Sequence, residues 1–198
     1  MKITEKKSIL LDIIKKRRSV RSFTDKPIES EKLKMILEAA RLAPSSCNSQ
    51  PWHFLVVDDR DLLKKVAAAQ PPGTPINKFL NQAAVIIACV EEPKFIVHKA
   101  AGLINRDNHR IDIGIALEHM VLVATELGIG SCWIGWFSEE KIKSLLKIPK
   151  NKSVSVMLAL GYPDGKTDIN NIDEIKPRPR KSLDEIASRN RYGNRIDF

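Results

Sequence analysis

The chain has 198 residues, 43% of them apolar, and a formal net charge of +9, a size and apolar content that suit one sizeable core and a single domain over residues 1–198. No run of 18 or more apolar residues occurs, and the opening residues Met1-Lys2-Ile3-Thr4-Glu5-Lys6-Lys7 carry no apolar signal region, so neither a membrane span nor export is expected and the location read is cytoplasmic. The excess charge is confined to the two ends, 11 Lys and Arg against 5 acids in residues 1–34 and 7 against 2 in residues 176–195; with 6% aromatics overall and only Phe23 and Tyr192 within these stretches, this is unlike a nucleic-acid surface, and it would make a compact anion site if the fold joins the ends.

In chain order, residues 8–16 carry Ile9, Leu10, Ile13 and Ile14 at helical spacing with lysines in the last turn, and this helix delivers Arg17, Arg18, Ser19, Val20 and Arg21 into a turn. Ser30 can cap a second helix with the stripe Leu33, Ile36, Leu37 and Ala40, which Pro44 stops. Residues 43–54 form a loop rich in hydroxyl and amide side chains, Ala43-Pro44-Ser45-Ser46-Cys47-Asn48-Ser49-Gln50-Pro51-Trp52-His53-Phe54. A short strand is expected over 54–57, then a helix started by Asp59 or Asp61 and broken by Pro71-Pro72-Gly73-Thr74-Pro75.

Residues 84–90 form a continuous, β-branched apolar run, the pattern of a central strand. Residues 91–110 are polar and read as an excursion, and residues 111–127 as a helix apolar nearly all round, with Gly128 as its C-terminal cap. A helix of that kind needs cover on every side, which argues for burial in a homodimer. Residues 130–136 read as strand then turn, Ser138 as the cap of a short helix bearing Ile142, Leu145 and Leu146, and residues 154–160 as the last core strand. Gly161-Tyr162-Pro163-Asp164-Gly165 turns the chain into a C-terminal arm, 163–198, with the basic Lys176-Pro177-Arg178-Pro179-Arg180-Lys181, a short amphipathic helix over 183–186, and a tail without strong pattern. Helices alternating with four or five strands predict an α+β sandwich around a mostly antiparallel or mixed sheet.

No Gly-x-Gly-x-x-Gly follows a strand and there is no Walker loop, so dinucleotide-fold and P-loop readings lack support. His53, His98, His109 and His119 have no metal-type spacing, and the three cysteines, Cys47, Cys89 and Cys132, are odd in number and far apart, as reduced thiols would be. Neither Ser45, Ser46 nor Cys47 sits in a nucleophile signature, and Cys132 beside Trp133 reads as a buried strand thiol. The pairing of Arg17-Arg18-Ser19-Val20-Arg21 with Arg178-Pro179-Arg180 is what remains, and guanidinium forks with a hydroxyl donor suit a phosphate.

On these residues the chain resembles the FMN-dependent nitroreductase family. The match runs through Arg17-Arg18-Ser19-Val20-Arg21, the loop Ala43-Pro44-Ser45-Ser46-Cys47-Asn48-Ser49-Gln50-Pro51-Trp52, Asp112-Ile113-Gly114-Ile115-Ala116, Leu127-Gly128-Ile129-Gly130-Ser131-Cys132-Trp133-Ile134-Gly135, Leu160-Gly161-Tyr162-Pro163 and the Arg178-x-Arg180 pair. Each motif is weak alone; their order and spacing are specific. The resemblance implies a nitroreductase-like sandwich in an intertwined homodimer with two FMN sites. It places Arg17, Arg18 and Ser19 near the flavin phosphate and ribityl chain with Arg178 and Arg180, and Arg21 at the pyrimidine edge, where positive charge favours the reduced ring. Pro44, Ser45, Ser46 and Asn48 resemble the loop that the partner subunit lays on the flavin. Cys132, Ile134 and Gly135 fall in the segment whose backbone faces the ring, and Lys78 adds a further contact. The implied reaction is a ping-pong cycle in which NADH or NADPH delivers hydride to flavin N5 and a nitroaromatic or quinone then removes the electrons, with no acid, base or nucleophile from the protein. Relatives that dehalogenate or fragment flavin are the alternative.

Overall fold

The computed structural model describes residues 8–73, 76–92, 108–165 and 179–196. Helix α1 spans Ile9–Lys16, capped by the Ser8 hydroxyl, which accepts the Leu11 amide at 3.3 Å. Helix α2 spans Ser30–Arg41 and strand β1 Trp52–Val57; α3 spans Arg60–Ala68, with Asp59 rather than Asp61 capping the Leu62 amide at 2.8 Å. Ser30 is the first helical residue of α2 and not its cap. Glu29 holds the cap position, and its carboxylate is engaged by Tyr162, Lys26 and Lys32 instead of by the helix. Strand β2 spans Val85–Glu91, α4 Asn108–Glu126, β3 Gly130–Ile134, α5 Glu139–Leu145, β4 Val154–Gly161 and α6 Leu183–Ile186.

The four strands form one sheet in the order β1-β2-β4-β3, and every pairing is antiparallel, so the parallel component of the mixed alternative is not found among them. Side chains of a strand alternate between faces. On one face Ile86, Ala88 and Val90 of β2 and Met157 and Ala159 of β4 pack with Leu63 and Val66 of α3 and Ile142 of α5. On the other, Val85, Ile87 and Cys89 with Leu158 and Leu160 meet Ile36 and Ala40 of α2 and Ile113, Leu117, Met120 and Val121 of α4. Strand β2 is therefore buried on both faces, which is why its sequence is an unbroken apolar run.

Several boundaries differ from the sequence reading, three of them instructively. Strand β1 starts at Trp52, because its register with β2 continues to the Trp52 and Glu91 pair. Strand β2 takes in Glu91 and helix α4 starts at Asn108, so both ends of the expected 91–110 excursion are regular structure, joined where His109 Nε2 lies 3.3 Å from the Glu91 carboxylate. Residues 93–107 lie outside the described residues, as do 166–178 of the C-terminal arm.

Helix α4 finds most of its cover in its own chain: Ile113, Ala116, Leu117, Met120, Val121 and Ala124 are buried against the sheet and α2, leaving Ile111 exposed. The larger uncovered apolar surface is α1, where Ile9, Leu10, Leu11 and Ile14 are 75%, 56%, 46% and 47% exposed. Helix α6 lies where it was expected, closed by a Ser182 and Glu185 capping box, with Leu183 and Ile186 exposed. No helix among the described residues is long and apolar enough to cross a membrane.

Candidate functional site

The arginines after α1 are carried by an extended strap, residues 19–24. Ser19 bridges Ser131 at the start of β3, and the Val20 amide donates to the Ser131 carbonyl at 2.9 Å. At the other end Phe23 bridges Pro163, and the Thr24 amide donates to the Tyr162 carbonyl at 2.8 Å. Val20 and Phe23 are buried in the core, whereas Arg21 is exposed and Arg17, Arg18 and Ser19 are half-buried. Burying alternate parts of the strap thus leaves its cations at the surface beside the edge strand β3.

Those cations crowd one another. The Arg18 guanidinium donates through Nη1 to the carbonyls of Lys15 at 2.7 Å and Arg17 at 3.0 Å. Burial, and after it the charges of Arg17 and Arg180, lower its pKa. Arg180, near the other end of the chain, is therefore within electrostatic reach of Arg18. Burial raises the Cys132 thiol, and Arg21 and Arg17 oppose that shift. Glu118 of α4 is likewise raised by burial against the pull of Arg17 and His119. Among the described residues Arg18, Arg21 and Arg180 hydrogen-bond only to backbone carbonyls. A carbonyl does not neutralise a guanidinium, so the cluster is suited to an anion with several acceptor oxygens. Arg178 lies outside the described residues.

Strand β3 is an edge strand, and the strap covers that edge only at its start. Cys132 and Ile134 turn their side chains into the core at 3% and 2% exposure, so only their backbone is available to a ligand. Gly135 is exposed, with open space where a side chain would project. Lys78 is exposed and lines a cavity of about 400 Å³ with Lys64, Gln70, Asn77 and Asn81, and the neighbouring Asn77 side chain donates to the Trp136 carbonyl at 2.9 Å, next to Gly135.

The loop after α2 is held differently. The Ser46 amide donates to the Asp112 carboxylate at 3.1 Å, and Asp112, in the first turns of α4, is only 6% exposed. The Gln50 amide donates to Ser45 Oγ at 2.9 Å, and Gln50 Nε2 donates to Asn48 Oδ1 at 3.1 Å. Cys47, Asn48 and Gln50 adopt φ of 51°, 50° and 48°, a left-handed conformation that side chains disfavour and that surrounding contacts must hold. Pro44 and Asn48 are exposed, Ser45 and Ser46 half-buried. Among the described residues the side-chain hydrogen bonds of this loop run within the loop and to Asp112 of α4.

Sequence reasoning missed Asp112 as the loop's anchor, Glu118 as a neighbour of Arg17, and Gly130 and Gly161 beneath the strap. For the glycines a signal existed: an isolated glycine within a strand pattern marks a close approach of another segment.

The nitroreductase family model matches residues 14–162. A protein of Archaeoglobus fulgidus, provisionally named an NADH dehydrogenase/NAD(P)H nitroreductase, is 38% identical over 168 residues, covering 83% of this chain and 91% of the relative. Among solved structures, a nitroreductase family protein from Clostridium novyi superposes with a TM-score of 0.71 at 32% identity, covering 96% of this chain and 97% of the other. An FMN-dependent nitroreductase from Clostridium difficile gives 0.68 at 32% identity, covering 84% and 94%.

Proposed function

The chain belongs to the nitroreductase family, and from that premise we propose that it is an FMN-dependent oxidoreductase that spends NADH or NADPH to reduce electron-poor acceptors such as nitroaromatics and quinones by a ping-pong cycle. The observation that carries this reading is the cation cluster: Arg17 and Arg180 each within electrostatic reach of Arg18, with the forks of Arg18 and Arg180 bonded only to carbonyls among the described residues. Arg17, Arg18, Ser19 and Arg180, with Arg178, hold the phosphate and ribityl chain of FMN. Arg21 lies two residues on, at the edge of the cluster, and serves the pyrimidine end. Bound FMN supplies the hydride-transfer chemistry; the protein's part is to orient donor and acceptor and to set the local charge.

The acting unit is a homodimer. Two observations favour it: the α1 surface, where four large apolar side chains stand uncovered, and the loop of Pro44, Ser45, Ser46 and Asn48, which holds left-handed residues at 47, 48 and 50 and leaves Pro44 and Asn48 exposed. In a dimer that loop closes over the partner's flavin. Purification supplies the test. The protein emerges yellow, or takes up one FMN per chain, and is reduced by NADH or NADPH in stopped flow; a colourless protein that takes up no FMN refutes the proposal.

A further inference from the structure

We propose that Gly130 and Gly161 are positioning residues of the anion site: they form a two-glycine seat that fixes the height of the strap and thereby the placement of Arg17, Arg18, Ser19 and Arg21. The two are direct partners across β3 and β4, and they share the face of Cys132 and Ala159, where Val20 and Phe23 are buried. A Cβ built on Gly130 would stand 2.8 Å from Val20 Cγ2 and 2.9 Å from Val20 Cβ; one on Gly161 would stand 2.8 Å from Phe23 Cδ1 and 3.0 Å from Phe23 Cγ. Carbon atoms pack at about 3.5–4.0 Å, so each seat has no room for a single methyl group.

Backbone conformation does not explain these glycines. The positive-φ glycines are Gly73, Gly128, Gly165 and Gly193; Gly130 and Gly161 have dihedrals that any residue adopts. A glycine inside a strand weakens it, so space for the strap is the remaining reason for both. Nor can the strap yield sideways. Val20 is β-branched and stiff at χ1, and its amide is fastened to the Ser131 carbonyl, one residue from the seat, at 2.9 Å. A methyl group on Gly130 is relieved only by lifting the strap, and Val20 lies directly between Ser19 and Arg21. Bidentate contacts tolerate about 0.5 Å of misplacement, so a lift of that size disengages them.

The inference rests on the proposed phosphate role of these arginines, and its test separates the two. Riboflavin lacks the phosphate that FMN carries, so apo-protein is titrated with each by flavin fluorescence. Wild type is expected to prefer FMN. Gly130→Ala weakens FMN binding about tenfold and riboflavin, which keeps only the ribityl and ring contacts, by less, so the preference falls; Val20→Gly in the Gly130→Ala background restores it. Gly161→Ala behaves alike, with Phe23→Ala as its rescue, and carries the test should Gly130→Ala fail to fold. A preserved FMN preference in the folded glycine variants, or equal weakening of FMN and riboflavin, overturns the inference. A wild-type protein that does not distinguish FMN from riboflavin overturns the phosphate reading, and this inference with it.

Discussion

The arginine strap and the loop after α2 are both irregular segments rich in ligand-type groups, yet they are stabilised by opposite means. The strap is tied at two places to sheet carbonyls and sunk by Val20 and Phe23 into the core, so its position is set by the protomer itself. The loop buries only small groups such as Ala43 and Ser49, and the buried Asp112 carboxylate helps hold its three left-handed residues in shape. A segment docked on a sheet can build a site alone. A segment held only in shape presents its groups outward, to something beyond its own protomer.

The largest effect expected from this contrast falls on the strap. Arg18→Ala combined with Arg180→Ala removes two charge-assisted contacts at about 1.5–3 kcal/mol each, so FMN affinity falls at least about 100-fold in fluorescence titration while the melting temperature of the apo-protein changes little. Next come glutamates at Ile9 and Leu10. Exposed as these positions are, the substitutions shift a monomer's stability by no more than about 0.5 kcal/mol. Sedimentation should nonetheless show dissociation to monomers, with FMN lost alongside; an unchanged dimer would remove α1 from the interface.

Asp112→Ala leaves the Ser46 amide without its buried acceptor and costs about 1–3 kcal/mol in urea unfolding. Hydrogen exchange at Ser46 should accelerate while Val20 stays protected, since the strap does not depend on the loop. The smallest effect concerns the strap's far end, where the Thr24 amide rests on Tyr162. Glu29 is held down to about 2 from its ordinary 4.5, chiefly by the Tyr162 hydroxyl. A depressed carboxylate contributes stability while ionised, so this contribution is complete above about pH 4.5 and is lost as pH falls toward 2. Tyr162→Phe should flatten that acid limb in denaturation midpoints measured across pH 2–5, modestly because the group is exposed.

Periodicity and punctuation alone located every described α-helix and strand to within a few residues, though not the 3-10 turns at Ser46–Asn48 and Lys78–Gln82: the stripe of α2, the apolar run of β2 and the helix at 183–186 all lie where they were read. The errors lie at ends that a distant partner decides. Trp52 joins β1 because Glu91 pairs with it, and Asn108 and His109 join α4 because His109 meets Glu91. The site residues were legible as types, since arginine forks and loop amides announce anion and polar-ring chemistry by composition. Their grouping was legible only in part. Arg180 is close enough to act on the charge of Arg18, and Lys78 lines a cavity with Asn77 and Gln70.

The sequence by itself determined the elements, the faces they bury and the excess of cations at both ends, because these follow from local spacing and residue chemistry. Only the tertiary structure decided that the strap lies on Gly130 and Gly161 and that Asp112 anchors the loop. Each of these is a contact between segments far apart in the chain, created by the antiparallel register of β3 with β4 and by the docking of α4, and no local pattern encodes such a distance.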